Sequence, residues 1–182
     1  MNNKSVWFFA IIFATLITIA NYTVQIPINE WLTYGAVIYP FTFLLTDILS
    51  ERFAKEDVQK VVKCGVIIAI IPSAFAADIR IATASILTFI ISQNIDIHIF
   101  HRLKEKYHSL WWLRNNCSTM ISQLLDTAIF FTLAFAFVMP GISIVKLIIG
   151  DYIIKVCIAI LDTPFFYALA IRSPKSKLNP NC

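Results

Sequence analysis

Long apolar runs dominate the chain, and each has a length that suits a helix crossing a lipid bilayer, which needs about 20 residues. The predicted spans are 6–24, 31–49, 61–79, 81–100, 118–138 and 142–171. Pro72 and Pro164 lie inside the third and sixth runs, where neighbouring helices of a membrane protein tolerate a kink. Ser118 is a candidate N-cap for the fifth helix. The pattern predicts a single all-α membrane domain over residues 1–182.

The composition agrees with lipid as the solvent of the apolar exterior. Hydrophobic residues make up 58% of the 182 residues, and charged residues only 14%, against about a quarter in a soluble domain. A water-soluble enzyme of this composition would lack the polar surface to cover its core. The first run is expected to be a retained helix rather than a signal peptide, because Asn21–Gln25 offers no small-residue cleavage site.

Basic residues are concentrated on one side of the predicted membrane domain. The opposite side has only Arg80 in its short turns. By the positive-inside rule, we expect a multi-pass inner-membrane protein with both termini and both basic loops in the cytoplasm. No nucleic-acid partner is expected, because the charges are split among separate segments. The residues on the basic side are Lys4, Arg52, Lys55, Lys60, Lys63, Arg102, Lys104, Lys106, Arg114, Arg172, Lys175 and Lys177.

A short polar pattern, Ser-Gln-x-x-Asp, occurs in both the fourth and the fifth run. In a helix, the Gln and the Asp of each copy are neighbours on one face because they are three residues apart. Each pair combines a carboxylate acceptor with an amide that both donates and accepts hydrogen bonds. The pairs are Gln93 with Asp96 and Gln123 with Asp126.

Other ionisable residues also interrupt the apolar runs. Asp47 and Glu51 are one helical turn apart near the end of the second run. Asp151, Lys155 and Asp162 have spacings that place them on one stripe of the sixth helix. An ionisable group inside a span costs about 2.5–3.5 kcal/mol on insertion scales, so it usually faces the bundle interior or a cavity.

A purely structural interpretation is open for several of these groups. Asp47 and Asp96 lie near the ends of their spans and could simply reach water. Asp151 and Lys155 could form a buried pair that only joins helices. Asp126 lies well inside its predicted span, where polarity is harder to explain by structure alone.

Carboxylates and amides from at least three spans can converge on one cavity. Such a cavity suits a small, flat solute rich in hydrogen-bonding groups, such as a guanine-like base, whose adjacent N–H groups need acceptors. Amines and sugars fit the same chemistry. Aromatic residues that could stack on a flat solute are Phe41, Phe43, Trp111, Trp112, Phe130 and Phe131.

Catalytic and cofactor motifs are missing from the sequence. The chain has no G-x-S-x-G, H-E-x-x-H or Gly-rich phosphate motif, and its four glycines do not form a P-loop. His98, His101 and His108 share no metal-ligand spacing with the carboxylates. We therefore expect no cofactor, no metal site and no enzymatic activity.

Several motifs follow one another between Tyr39 and Tyr167. They are Tyr39–Phe53, Ser92–Phe100, Trp112–Thr119, Ser122–Thr127, Lys155 and Asp162–Pro164. In this order they closely resemble the queuosine precursor transporter family. The chain departs from the usual family pattern in one place, because the stretch between the basic loop after the second span and the Arg80–Ser85 motif is short.

The resemblance implies six transmembrane helices with the fold of the substrate-binding subunits of vitamin uptake transporters. It also implies import of a 7-deazaguanine base for tRNA modification: 7-cyano-7-deazaguanine (preQ0), 7-aminomethyl-7-deazaguanine (preQ1) or queuine. Ion coupling and simple facilitation both remain open. On this interpretation the substrate-binding residues are Asp47, Gln93, Asp96, Asn115, Gln123, Asp126 and Lys155.

Two other functions are compatible with the sequence. The chain could be a passive substrate-capture subunit that needs an energising subunit, docked through the small residues Ala10 and Ala14 of the first helix. It could also be an intramembrane enzyme, which ranks lower because no nucleophile lies beside a base. The expected partners are the lipid bilayer and a small molecule, and the sequence leaves a homo-oligomer open.

Overall fold

A computed structural model describes residues 1–172 as a helical bundle. The helices are α1 Asn3–Thr23, α2 Gly35–Ile38, α3 Pro40–Arg52, α4 Lys55–Ala76, α5 Ile79–Lys106, α6 Trp111–Phe135 and α7 Gly141–Phe166, followed by a π-helical segment, Tyr167–Arg172. Two short strands, β1 Pro27–Asn29 and β2 Leu32–Thr33, form an antiparallel hairpin between α1 and α2. The predicted all-α architecture is confirmed, with this hairpin added.

Three helices, α1, α4 and α6, are long and apolar enough to cross a membrane by length and composition. Two more, α5 and α7, have 28 and 26 residues and carry buried ionisable side chains on their inner faces. Helices α2 and α3 together make the remaining pass, so the described chain runs through the bundle six times, in agreement with the predicted count.

The second predicted span begins later than expected and is broken. The sequence predicted a helix from Trp31, but this residue lies in the hairpin and the helix begins at Gly35. The break at Tyr39 follows from Pro40, which has no backbone N–H to donate to the carbonyl of Ala36. Proline is well suited to the first position of α3, where its missing N–H is not needed.

The boundary between the third and fourth predicted spans is also shifted. The third span was predicted to reach Ile79, but α4 ends at Ala76 and Ile79 is the first residue of α5. The reason is a helix cap: the Asp78 carboxylate accepts the backbone N–H of Arg80 at 2.9 Å. This bond satisfies one of the free N–H groups at the start of α5.

The fifth and sixth predicted spans need smaller corrections. The prediction of Ser118 as an N-cap is wrong, because α6 begins at Trp111 and Ser118 lies inside it. Its hydroxyl donates to the backbone carbonyl of Arg114 at 2.8 Å, which is the usual arrangement of a serine within a helix. The last residues of the sixth predicted span belong to the π-helical segment rather than to α7.

Helix α1 packs closely against α4. A Cβ added to Gly65 would lie 2.8 Å from the Phe13 ring and 3.1 Å from the carbonyl oxygen of Ala10, so glycine permits this approach. Ala10 and Ala14 are buried in the same interface. The prediction that these two alanines dock a partner subunit is therefore wrong, since they pack within the chain.

The basic connections lie together at one end of the bundle, which we call the basic end. The N-terminal amine of Met1 pairs with Asp57 at the start of α4, at 2.7 Å. Lys104 near the end of α5 donates to backbone carbonyls at the end of α3. The opposite end, the hairpin end, carries the β1–β2 hairpin. Lys175 and Lys177, which were counted with the basic side, lie outside the described residues.

Candidate functional site

The predicted site residues are all buried between helices. They come from α3, α5, α6 and α7, and none is more than 3% exposed. Reaching water at a span end therefore does not explain Asp47 or Asp96. Six of the seven belong to two groups at different depths of the bundle, one nearer each end, and Gln93 belongs to neither. The seven residues are Asp47, Gln93, Asp96, Asn115, Gln123, Asp126 and Lys155.

The group nearer the hairpin end is organised by one ammonium, and we call Asp126, Asp151 and Lys155 the lysine cluster. Lys155 Nζ lies 2.7 Å from Asp151 Oδ2 and 3.4 Å from Asp126 Oδ2. Its third neighbour is the hydroxyl of Thr127 at 3.0 Å. An ammonium has three N–H donors, so Lys155 is saturated by protein atoms. Its role is to hold the two carboxylates in place.

Tyr39 completes the lysine cluster, although it was not among the predicted site residues. Its hydroxyl donates to Asp126 Oδ1 at 2.9 Å, and the Ser92 hydroxyl donates to the same oxygen at 2.8 Å. The Tyr39 ring also faces Lys155, with 4.6 Å from Nζ to the ring centroid, a cation–π contact. The sequence feature that could have identified Tyr39 is its position directly before Pro40, where the helix of the second span is broken.

A cavity opens beside the lysine cluster at the hairpin end. It is small, with about 20 Å³ open to the centre of a water-sized sphere. Phe130 and Phe131 line it with the lysine cluster, so these two of the predicted stacking aromatics face the cavity. Phe41 and Trp112 do not, because they are 41% and 49% exposed on the outside of the bundle.

The group nearer the basic end has many unsatisfied polar atoms, and we call Asp47, Asp96, Asn115 and Gln123 the carboxyl cluster. The carboxyl groups of Asp47 and Asp96 are close neighbours. Asp47 Oδ2 accepts the hydroxyl of Thr119 at 2.7 Å. Within residues 1–172, no hydrogen bond of normal geometry reaches Asp47 Oδ1, either Asp96 oxygen, Asn115 Oδ1 or either amide atom of Gln123. The hydroxyls of Ser118 and Ser122 do lie beside the Asp96 carboxylate. Buried polar atoms normally have partners, so this cluster is ready to bind a polar ligand or water.

The two copies of the Ser-Gln-x-x-Asp pattern have opposite environments. Gln93 is held by α3, since Thr46 donates to its Oε1 at 3.0 Å and its Nε2 has a long contact of 3.5 Å with Thr42. Gln123, the equivalent residue of α6, has no partner among the described atoms. Gln93 thus joins α5 to α3, whereas Gln123 keeps its hydrogen-bonding groups available.

A second cavity, at the basic end, adjoins the carboxyl cluster. It is narrow, with about 10 Å³ open to the centre of a water-sized sphere, so a ligand as large as a base would enter only when the lining helices move apart. It is lined by Asp47, Asn115 and Asp162, together with apolar side chains such as Leu44. Asp162 was placed on the polar stripe of the sixth span but not in the predicted site. It is 6% exposed, and no hydrogen bond to its carboxylate is found in the described chain.

A buried ion pair lies at the basic end of the bundle. The Arg114 guanidinium donates to both carboxylate oxygens of Glu51, with 2.9 Å for each bond. A third bond runs from Arg114 Nη1 to the backbone carbonyl of His108 at 3.0 Å. Such two-pronged pairing is geometrically specific, so it fixes the end of α3 against the start of α6.

The chain is similar to a known protein family. The model of a family described as putative vitamin uptake transporter matches residues 33–77 and 71–169. The chain belongs to this family. The matched ranges contain all seven predicted site residues. The protein is thus a multi-pass membrane transporter and not an enzyme, as the sequence predicted.

Two relatives show how far the family similarity extends. The probable queuosine precursor transporter of Bacillus subtilis (strain 168) is 30% identical over 170 residues, covering 80% of this chain and 74% of the relative. The queuosine precursor transporter of Escherichia coli (strain K12) is 28% identical over 186 residues, covering 87% and 82%. The predicted resemblance to that family is confirmed. No solved structure matches the chain.

Proposed function

We propose that this transporter carries a 7-deazaguanine base, a precursor of queuosine, across the cell inner membrane. The names of its relatives support this substrate class. The observation that carries the proposal is the set of buried polar atoms without protein partners in the carboxyl cluster. A guanine-like edge presents adjacent N–H donors and a carbonyl acceptor, and this cluster offers the complementary carboxylate oxygens and amide groups.

The carboxyl cluster is proposed to bind the hydrogen-bonding edge of the base. Asp47 and Asp96 accept from the ring and exocyclic N–H groups, and Gln123 and Asn115 complete the set of bonds. Selectivity follows from the same arrangement. A look-alike base that lacks one donor leaves a buried acceptor unpaired, which is a costly loss in a site of this kind.

The lysine cluster is proposed as the other end of the transport path. Asp126 faces the hairpin-end cavity and accepts N–H groups of the base in an earlier or later stage of transport, while Lys155 balances its charge. Gln93 acts by holding α3 against α5. The hydrogen bond from Tyr39 to Asp126 lies between the two cavities, since Tyr39 lines one and the next residue, Pro40, lines the other.

The proposal also includes the orientation of the chain in the membrane and whether it needs an energising subunit. We place the basic end and both termini in the cytoplasm, because the basic residues of the connections collect there. Access to the site then alternates between the two ends of the bundle. We further propose that the chain works without an energising subunit, since the alanines suggested as a docking face are buried within the chain.

Uptake by purified protein tests the proposal. Full-length chain reconstituted in liposomes is expected to take up radiolabelled 7-aminomethyl- or 7-cyano-7-deazaguanine, and Asp126→Asn is expected to lose this uptake. Glu56→Gln is the matched control, because Glu56 is an exposed acidic residue at the basic end. Normal uptake by Asp126→Asn would contradict the role of Asp126, and no uptake of either base by intact protein would contradict the substrate class.

A further inference from the structure

Within residues 1–172, buried acidic side chains outnumber buried basic ones. Arg114 and Lys155 are the two basic residues that are buried in the described part of the molecule. Lys155 is shared by the two carboxylates of the lysine cluster, and Arg114 is taken by Glu51. The remaining buried acidic residues have no salt bridge within residues 1–172. They are Asp47, Asp96 and Asp162.

Two of these three acidic residues line one cavity, and the third lies next to one of them. Asp47 and Asp162 line the basic-end cavity, and Asp96 is a close neighbour of Asp47. Asn115 lines the same cavity and presents an oxygen without a partner. Every group named here supplies acceptors to a ligand. The other lining residues, such as Leu44, bring no positive charge.

A buried carboxylate without a partner either takes up a proton or pairs with a cation. A buried carboxylate without a partner is costly, because it loses its hydration and gains no ion pair in return. Of the two carboxylates that line this cavity, Asp162 is the one with no described hydrogen-bond donor. Asp47, by comparison, has one oxygen bonded to Thr119. A ligand that places an ammonium group beside Asp162 would neutralise the charge of this carboxylate and donate hydrogen bonds to its oxygens.

We propose that the basic-end cavity binds a cationic ligand, namely a 7-deazaguanine whose 7-substituent carries an ammonium group, and that Asp162 pairs with that ammonium. This inference rests on the proposed function and narrows its substrate class. Asp47 and Asp96 remain available for the N–H groups of the base edge. A base with a neutral nitrile in the same position offers no donor and no charge to Asp162, so it leaves this carboxylate uncompensated.

Calorimetric titration of the purified full-length chain tests the inference with two probes of nearly the same shape. At neutral pH, 7-aminomethyl-7-deazaguanine is expected to bind roughly 30-fold more tightly than 7-cyano-7-deazaguanine, the ratio typical of a buried charge left without its partner. Asp162→Asn keeps the size of the side chain and removes its charge. In this variant the preference for the ammonium base is expected to fall to within a few fold.

The titration has a matched control variant, and specific results would contradict the inference. Glu56→Gln removes one acidic charge at the exposed basic end and is expected to keep the full preference. Equal affinity of both bases for the unmodified chain overturns the inference and leaves the proposed function intact. An unchanged preference in Asp162→Asn also overturns it. If neither base binds to folded protein, the proposed function itself fails.

Discussion

Lys155 Nζ lies 2.7 Å from the carboxylate of Asp151, and the two residues are one turn apart on α7. This contact aligns the ammonium so that it also reaches Asp126 on α6, at 3.4 Å. A buried ion pair is costly to form unless its remaining hydrogen-bonding groups also find partners. Here the Thr127 hydroxyl accepts a hydrogen bond from Lys155 and donates one to Asp151. The cluster therefore ties α6 to α7 and fixes the direction of the Asp126 carboxylate.

Removal of the ammonium is predicted to damage both folding and transport. Lys155→Met leaves two buried carboxylates without a counter-charge, a change that typically costs about 3–5 kcal/mol of stability. We expect a lower thermal transition of the purified protein and loss of base uptake. Lys146→Met on the same helix is the control, because its partner Glu30 is 80% exposed and such pairs contribute about 0–1 kcal/mol. Equal stability of the two variants would contradict the prediction.

The hydroxyl of Tyr39 is predicted to contribute to the uptake rate independently of the aromatic ring. Tyr39→Phe keeps the ring beside Lys155 and removes the bond to Asp126, and a hydrogen bond to a charged group is worth about 1.5–3 kcal/mol. Uptake is expected to fall while the fold persists, since Ser92 still donates to the same oxygen. Initial rates in liposomes check this, with Tyr22→Phe at an exposed site as the control. An undiminished rate in Tyr39→Phe would show that this bond does not contribute.

Sequence patterns predicted the helices and the buried residues better than the contacts between them. Hydropathy and the cost of charge in lipid were enough to place Asp126 and Lys155 inside the bundle. The difference between Gln93 and Gln123 could not be predicted, because it depends on the threonines of α3 facing one copy of the repeated pattern only. The hairpin was missed because its second strand, Leu32–Thr33, was assigned to the start of the second apolar run.

The hairpin is predicted to depend on the absence of a side chain at Gly150. A Cβ added there would lie 2.1 Å from the carbonyl oxygen of Trp31, which is closer than these atoms can approach. Gly150→Ala is therefore expected to displace the hairpin from α7, with a cost of about 1–3 kcal/mol typical of overpacking. Faster hydrogen exchange in residues 27–33 is the measurement.

Gly141 provides a matched control for that experiment. It is also a glycine of α7, and an added Cβ would meet nothing within 4 Å. Gly141→Ala is expected to leave hydrogen exchange in the hairpin unchanged. Similar exchange in the two alanine variants would mean that close packing on Gly150 does not hold the hairpin.

Gln123 is predicted to contribute to transport at the expense of stability. Its two buried amide atoms lack protein partners, so Gln123→Leu removes unsatisfied polar groups and is expected to keep or raise the thermal transition while uptake is lost. Gln93→Leu, at the equivalent position of α5, breaks the bond from Thr46 and is expected to lower stability by about 1 kcal/mol. Thermal unfolding and uptake measured on both variants separate the two roles. Retained uptake in Gln123→Leu would remove Gln123 from the proposed site, because an apolar side chain cannot replace either hydrogen-bonding group of its amide.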